Sequence, residues 1–346
     1  MQYQMLPQLD EKVSKICLGT MTWGQQNDER QAHEQMDVAL AQGVNFWDTA
    51  EMYPSPPDKD KQGDTERYMG TWFAKTQQRD KVILASKISP MSFLREGQTR
   101  FNAQHISRAI DDNLQRLQTD YIDIYQLHWP ERQANFFGQR GYSEDMAAQS
   151  LADLTPFLET IHALNDEIKK GRIRAYGLSN DTPWGIMRYL WEADKNGLIA
   201  PITIQNPYSL LNRLYEVGLA EISHRENVGL LAYSPLGFGV LSGKYLEGKR
   251  PAGARLTRYN RFERYTNEQA LSATAQYAVI AAEAGLDMAQ MALAFVNTRA
   301  FVTSNIIGAT SIQQLQSNID SVTVTLSSDV LEAIEAVHKE HPNPSP

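Results

Sequence analysis

The chain has 346 residues and a single cysteine, Cys17, so it can form no internal disulfide, and this scarcity suits a reducing compartment. Cys17 lies in an apolar stretch and reads as buried filler rather than a reactive thiol. No apolar run approaches the roughly 18 residues of a membrane span. The opening MQYQMLPQLDEKV has neither the basic nor the apolar segment of a secretion signal. The chain is therefore expected in the cytoplasm, without a membrane partner. Positive charge is short as well: 33 Lys and Arg stand against 41 Asp and Glu, a formal charge of -8. A general phosphate binder needs the opposite balance, so nucleic acid is not an expected partner and any cationic site must be local. Histidines at 33, 105, 162, 224, 338 and 341 show no ligand spacing, and no metal site is expected.

Also missing is any Pro-, Gly- or Ser-rich stretch that would divide the chain, so residues 1–346 read as one domain. Eight short β-rich segments stand out, at 16–18, 44–47, 82–86, 121–127, 173–178, 202–204, 228–233 and 305–307. Helical patterns fill most intervals. Asp28 and Gln31 resemble a capping box, Met36, Ala39 and Leu40 follow at helical spacing, and Gly43 supplies a stop. Ile106, Ile110, Leu114 and Leu117 form another apolar stripe. Strand–helix alternation implies parallel strands with crossover helices, and eight units point to an α/β fold closed as a (β/α)8 TIM barrel. Residues 1–15 are expected to include a small hairpin over one end, and 340–346, ending HPNPSP, to be a frayed tail. Two intervals, 130–150 after the fourth strand and 236–264 after the seventh, are too long for plain connections; both leave the barrel face where enzymes place their sites.

Polar residues collect at the strand ends. Strand two ends in Asp48, strand three in Lys87 and strand four in His128. Ser179 with Asn180, Gln205 with Asn206, Ser234, and Gly308 with Thr310 follow strands five to eight. In a closed barrel they share one rim. Asp48 and Lys87, on neighbouring strands, can pair, which keeps the ammonium charged where water is scarce. Tyr53 lies five residues beyond Asp48 in DTAEMY. A phenol titrates near pH 10 when unperturbed, and Lys87 is the cation expected to lower that value and make Tyr53 an acid near neutrality. A neutral His128 can donate a hydrogen bond to a carbonyl oxygen.

Each feature has a plainer reading. An Asp–Lys pair is more often structural than catalytic, and Ser179, Asn180 and Gln205 are residue types that usually cap turns. Glycines 237, 239 and 243 follow a strand but miss the G-x-G-x-x-G spacing by one, with no acidic residue at the expected distance. Trp23 and Trp129 are rim aromatics expected to wall a substrate pocket, while Phe136, Phe137 and Tyr142 divide between substrate contact and packing of their own loop.

Taken together and in order, DTAEMY, the Lys closing VILASK, the His closing YQLH, the pair SN at 179–180, YSPLGFGVLSGKY at 233–245 and IIGATSIQQLQSNI near the end resemble the aldo-keto reductases over essentially the whole chain. The resemblance implies an NADPH-dependent carbonyl reductase acting on a small molecule. Its catalytic tetrad falls on Asp48, Tyr53, Lys87 and His128, with Tyr53 as general acid. It also implies cofactor contacts at Gly19, Thr20, Met21, Asp48, Ser179, Asn180 and Gln205, with Tyr233 stacked on the nicotinamide. The loop with Ser234, Pro235, Leu236, Gly237, Gly239, Leu241, Gly243 and Lys244 would lie over the pyrophosphate, and Arg255, Gly308, Thr310, Gln314 and Asn318 near the adenosine end. Lys244 and Arg255 are the local cations that a 2′-phosphate needs in an acidic protein, which favours NADPH over NADH. The alternative is a cofactor-binding sensor or regulatory subunit with slow turnover, as in the family's potassium-channel β subunits; those carry Asn at the position of His128. A metal-dependent barrel hydrolase is a weaker third reading. Substrate identity, cellular direction and oligomeric state leave no mark in the pattern.

Overall fold

The structure, a computed structural model, describes residues 1–6, 8–90, 100–139, 141–259 and 264–346. An antiparallel hairpin comes first, β1 (Tyr3–Leu6) with β2 (Glu11–Ser14). Eight strands follow: β3 (Ile16–Gly19), β4 (Phe46–Asp48), β5 (Ile83–Ile88), β6 (Ile122–Leu127), β7 (Ile173–Ser179), β8 (Thr203–Pro207), β9 (Gly229–Tyr233) and β10 (Val302–Ile307). Each pairs in parallel with the next, and β10 pairs with both β9 and β3, closing the barrel. All eight strands lie where the apolar runs place them. The last begins at Val302 rather than 305 because Thr303 and Ser304, polar in sequence, are buried in the ladder.

Twelve α-helices lie among the described residues: α1 (Glu29–Ala41), α2 (Asp64–Thr76), α3 (Ala103–Leu117), α4 (Glu144–Ala148), α5 (Phe157–Lys169), α6 (Pro183–Lys195), α7 (Leu219–Arg225), α8 (Arg255–Arg258), α9 (Glu268–Glu283), α10 (Met288–Asn297), α11 (Ile312–Asp320) and α12 (Ser328–Glu340). No single helix among them is long and apolar enough to cross a membrane. The Asp28 carboxylate caps α1 by accepting from Gln31 N, and Gln31 reciprocates. Gly43, at φ 81°, takes the left-handed conformation that ends the helix. Along α3, Ile106, Ile110 and Leu117 are buried against the strands.

Alternate strand residues face the barrel interior, the period that pleating imposes. Cys17, Phe46, Ala85, Ile124, Ala175 and Leu231 pack there, with Leu6 and Val13 of the hairpin closing the N-terminal end. The opposite parity, Leu18, Trp47, Leu84, Tyr125 and Tyr176 among others, packs outward against the helices.

The end of the sequence departs from expectation. Instead of fraying, residues 341–346 fold back over the rim. Asn343 Oδ1 accepts from Arg213 N at 2.6 Å, Asn267 Nδ2 donates to Pro344 O at 2.9 Å, and Ser345 N donates to Leu211 O at 3.0 Å. Ser345 is fully buried. The three prolines explain how so polar a segment orders: their fixed φ leaves less chain entropy to lose.

Candidate active site

Inward parity carries on past the apolar layer to the C-terminal rim. On β4 Phe46 is followed inward by Asp48; on β5 Ile83 and Ala85 by Lys87; on β6 Ile124 by Gln126, and then His128 just beyond the strand. Lys87 Nζ lies 2.5 Å from Asp48 Oδ2 and also donates to Thr49 O at 2.7 Å. Both side chains are buried. The other carboxylate oxygen, Asp48 Oδ1, accepts from Gln126 Nε2 at 3.0 Å and Gln205 Nε2 at 2.7 Å, so the buried charge is matched on each side.

The half-buried Tyr53 hydroxyl lies 3.4 Å from Lys87 Nζ, and its ring stands edge-on to His128, centroids 5.8 Å apart. Four side chains from three strand ends and one loop thus surround one small volume. Burial pulls Lys87 downward, but Asp48 and Tyr53 outweigh it and hold the ammonium above its ordinary range. Burial, aided by Lys87, drives His128 well below the usual imidazole value, so the ring is neutral. Tyr53 corrects an expectation. Lys87 does pull the phenol down, but burial is the larger influence and Asp48 opposes Lys87, so the net direction is upward.

The positions expected to hold a dinucleotide line the same rim. Gly19 ends β3, and Thr20 Oγ1 donates to Asp48 O at 2.9 Å. Ser179 Oγ donates to Gln205 O at 2.8 Å; Asn180, beyond β7, links the ends of β6 and β9, donating to His128 O at 2.8 Å and accepting from Tyr233 OH at 2.6 Å. In the loop after β9, Ser234, Gly237, Phe238, Gly239 and Gly243 all have positive φ, between 52° and 91°. Such reversals turn successive peptide groups outward and suit close approach of an anionic ligand. Pro235, Leu236 and Leu241 lie between these turns, Leu241 buried and Leu236 packed on the core.

Burial, and after it the nearby Arg255 guanidinium, lowers the Lys244 ammonium, and burial lowers Arg255. Arg255 lies 3.7 Å from Met21 Sδ and 5.1 Å from the Phe238 ring, within electrostatic reach of Tyr53, Tyr245 and Tyr259, and neither cation has a carboxylate partner among the described residues. Partly buried cations beside such a loop fit a ligand with phosphate groups. Beyond β10, Thr310 and Gln314 bond one another at the exposed start of α11, and Asn318 donates to Gly308 O at 3.2 Å.

Of the two tryptophans expected to wall a pocket, only Trp129 is on the open side. Its ring is tilted on His128 at 4.8 Å and meets Phe137 edge-on at 5.8 Å, with Phe137 itself 52% exposed. Trp23 corrects the other expectation. It is fully buried, its indole N–H donating to Gln35 on α1 at 3.1 Å, so it belongs to the core and lines no open cleft. Phe136 packs on Phe137, and the Tyr142 hydroxyl donates to Met146 O within the loop.

Residue-type reasoning missed Gln126, Ser89 and Arg264. The first two had a signal: each stands two residues from a rim residue on an inward parity. Arg264 bonds Tyr265 OH at 3.1 Å and also reaches Tyr233, and no periodicity marks it.

Comparison with known proteins gives an independent line. Residues 15–339 match the pattern of the Aldo/keto reductase family. The chain is 51% identical to Protein tas of Escherichia coli, covering 100% of both sequences. It is also 31% identical to the uncharacterized oxidoreductase YrpG of Bacillus subtilis, covering 97% of this chain and 96% of that protein. A probable voltage-gated potassium channel subunit beta of Arabidopsis thaliana is 30% identical over 99% of this chain and 98% of its own length.

Proposed function

This chain belongs to the aldo/keto reductase family and is an oxidoreductase, and we propose from that premise that it reduces the carbonyl of small aldehydes or ketones with NADPH, reversibly and in the cytoplasm. The observation that carries the reading is the convergence of Tyr53, Lys87, Asp48 and His128 on one small volume, with Lys244 and Arg255 lacking a carboxylate partner among the described residues. NADPH, when bound, supplies the hydride. The Tyr53 hydroxyl gives its proton to the carbonyl oxygen; the phenolate left behind is stabilised by Lys87, which Asp48 keeps in place and charged. A neutral His128 donates to the same oxygen and aligns it. Ser179, Asn180, Gln205 and Tyr233 would hold the nicotinamide end. Lys244 and Arg255 would take phosphate, with Gly19, Thr20, Met21, Gly308, Thr310, Gln314 and Asn318 along the rest. Trp129 and Phe137 favour planar apolar substituents on the substrate.

Tyr53→Phe is the direct test. NADPH affinity by fluorescence titration should stay within about twofold, while turnover of a reactive aldehyde falls by at least about a hundredfold, the scale of a lost general acid. Unchanged turnover would overturn the mechanism. The acid role also sets a pH dependence. Burial raises the phenol, so the protonated form persists through neutrality, and reduction should decline only as pH rises past the ordinary tyrosine range. Alcohol oxidation, which needs the phenolate, should climb over the same interval.

The similarity to a potassium channel subunit beta favours a second reading, a cofactor-binding regulatory subunit. It predicts negligible turnover over a broad carbonyl panel and a protein complex that dissociates when the cofactor is oxidised.

A further inference from the structure

We propose that Ser89 is a positioning residue that fixes the tautomer of His128, so that Nε2 carries the proton facing the substrate oxygen. The inference rests on the carbonyl-reductase reading above. Ser89 follows β5, two residues beyond Lys87 and on the same inward parity. Its Oγ lies 3.0 Å from His128 Nδ1, and its backbone N–H donates to Glu51 Oε1 at 2.8 Å. Ser89 and Glu51 are fully buried, so the hydroxyl is anchored from its backbone and has no recourse to water.

A neutral imidazole has one nitrogen that donates and one that accepts, and which is which depends on its partners. Two arrangements of the Ser89–His128 bond are conceivable. If Nδ1–H donated to the hydroxyl oxygen, the hydroxyl proton would need a second acceptor, and Oγ has no other hydrogen-bond partner among the described residues. A buried donor left without an acceptor costs about 1–3 kcal/mol, more than tenfold in tautomer ratio across most of that range. If the hydroxyl donates to Nδ1, both groups are satisfied. The proton then sits on Nε2, which has no hydrogen bond within the described protein and is left for a ligand. The neutrality of the ring, held by burial and Lys87, makes the choice meaningful, since an imidazolium would donate from both nitrogens. No proton leaves His128 in the reaction: it donates a hydrogen bond, polarises the carbonyl, and keeps its proton.

The test uses the full chain with 15N-labelled histidine. Long-range nitrogen–proton spectra of the wild type should show His128 with Nδ1 bare and Nε2 protonated. Ser89→Ala should give a mixture of tautomers, and Ser89→Thr, which keeps the hydroxyl, should restore the single form. In NADPH-dependent reduction of 4-nitrobenzaldehyde, kcat should fall about tenfold in Ser89→Ala, short of the roughly hundredfold seen when an oxyanion donor is removed outright. NADPH affinity should be unchanged, and Ser89→Thr should recover most of kcat. A wild-type spectrum with the proton on Nδ1 overturns the proposal without recourse to any variant. So does full activity in Ser89→Ala when Tyr53→Phe and His128→Ala are both inactive. Should Tyr53→Phe itself stay active, the reductase reading fails instead, and the spectra still decide whether Ser89 sets the tautomer.

Discussion

Lys15, immediately before β3, and Lys87, on β5, are both buried ammonium groups, and their surroundings send them in opposite directions. Lys87 has a carboxylate. Among the described residues Lys15 has only neutral acceptors, Val302 O and, at 3.4 Å, Gln4 Oε1, and burial lowers it to about 8. Below that pH the amine is charged in both folded and unfolded chains, and the fold bears the cost of hiding it. As pH rises from about 8 towards the unfolded value of about 10.4, the unfolded chain keeps a proton that the folded one has released, so this site's contribution to stability improves with pH. Lys15→Met is therefore expected to be more stable than the wild type at pH 7, by up to about 3 kcal/mol, with the advantage shrinking towards pH 10. Urea unfolding of both proteins at pH 7 and 9.5 checks this; a pH-independent difference would contradict it. At this scale the sequence discloses chemistry and hides environment. Residue types at three strand ends and in the loop after β4 were enough to single out Asp48, Lys87, His128 and Tyr53. Whether Trp23 faced a cleft, and whether burial or Lys87 governed Tyr53, depended on packing that no residue type reports.

Elements were legible wherever a face had to be buried. The eight barrel strands and the α1 cap follow from alternation and from Asp28 with Gln31, because burying one face forces the period. Which elements touch is another matter, as Gly70 shows. In sequence it is merely a weak residue inside α2. In the fold, a Cβ there would stand 2.2 Å from Arg116 O and 2.9 Å from Leu117 C, backbone atoms at the end of α3 that cannot swing aside. The close crossing matters for the site. Glu66 of α2, fully buried, accepts from Asn113 and Arg116 of α3 and from Ser86, the neighbour of Lys87. Gly70→Ala should thus destabilise by about 1–3 kcal/mol, as overpacking does, although alanine is the better helix former by about 1 kcal/mol. Thermal unfolding reads the effect directly, and a stabilised variant would mean the helices can part without loss.

Across the whole molecule, the two ends of the chain close opposite ends of the barrel, and only one was readable. The N-terminal hairpin shows itself through Leu6 and Val13, apolar residues that must be covered. The tail at 341–346 has no such period, and its partners lie 77 and 130 residues away in sequence, at Asn267 and Arg213. Those partners connect it to the site. Residues 208–213 leave β8, which carries Gln205, and Asn267 holds Arg264 O, while Pro346 O and Arg264 Cδ both lie within 4 Å of where a Cβ on Gly138 would stand. The tail therefore fastens the segment after β8 to Asn267 at the start of α9, and ends close to Gly138 in the loop after β6. Removing residues 342–346 breaks three hydrogen bonds worth about 1 kcal/mol each, so stability should fall by about 2–3 kcal/mol. Because the lost contacts tie the segment after β8 to Asn267, which in turn holds Arg264 beside Tyr233, kcat/KM for a carbonyl substrate should fall further than global stability alone explains at a temperature where the shortened protein is fully folded. Measuring both on that chain separates the two roles: a stability loss with unchanged kcat/KM would make the tail a clamp on the fold alone, with no hold on the loops that shape the site.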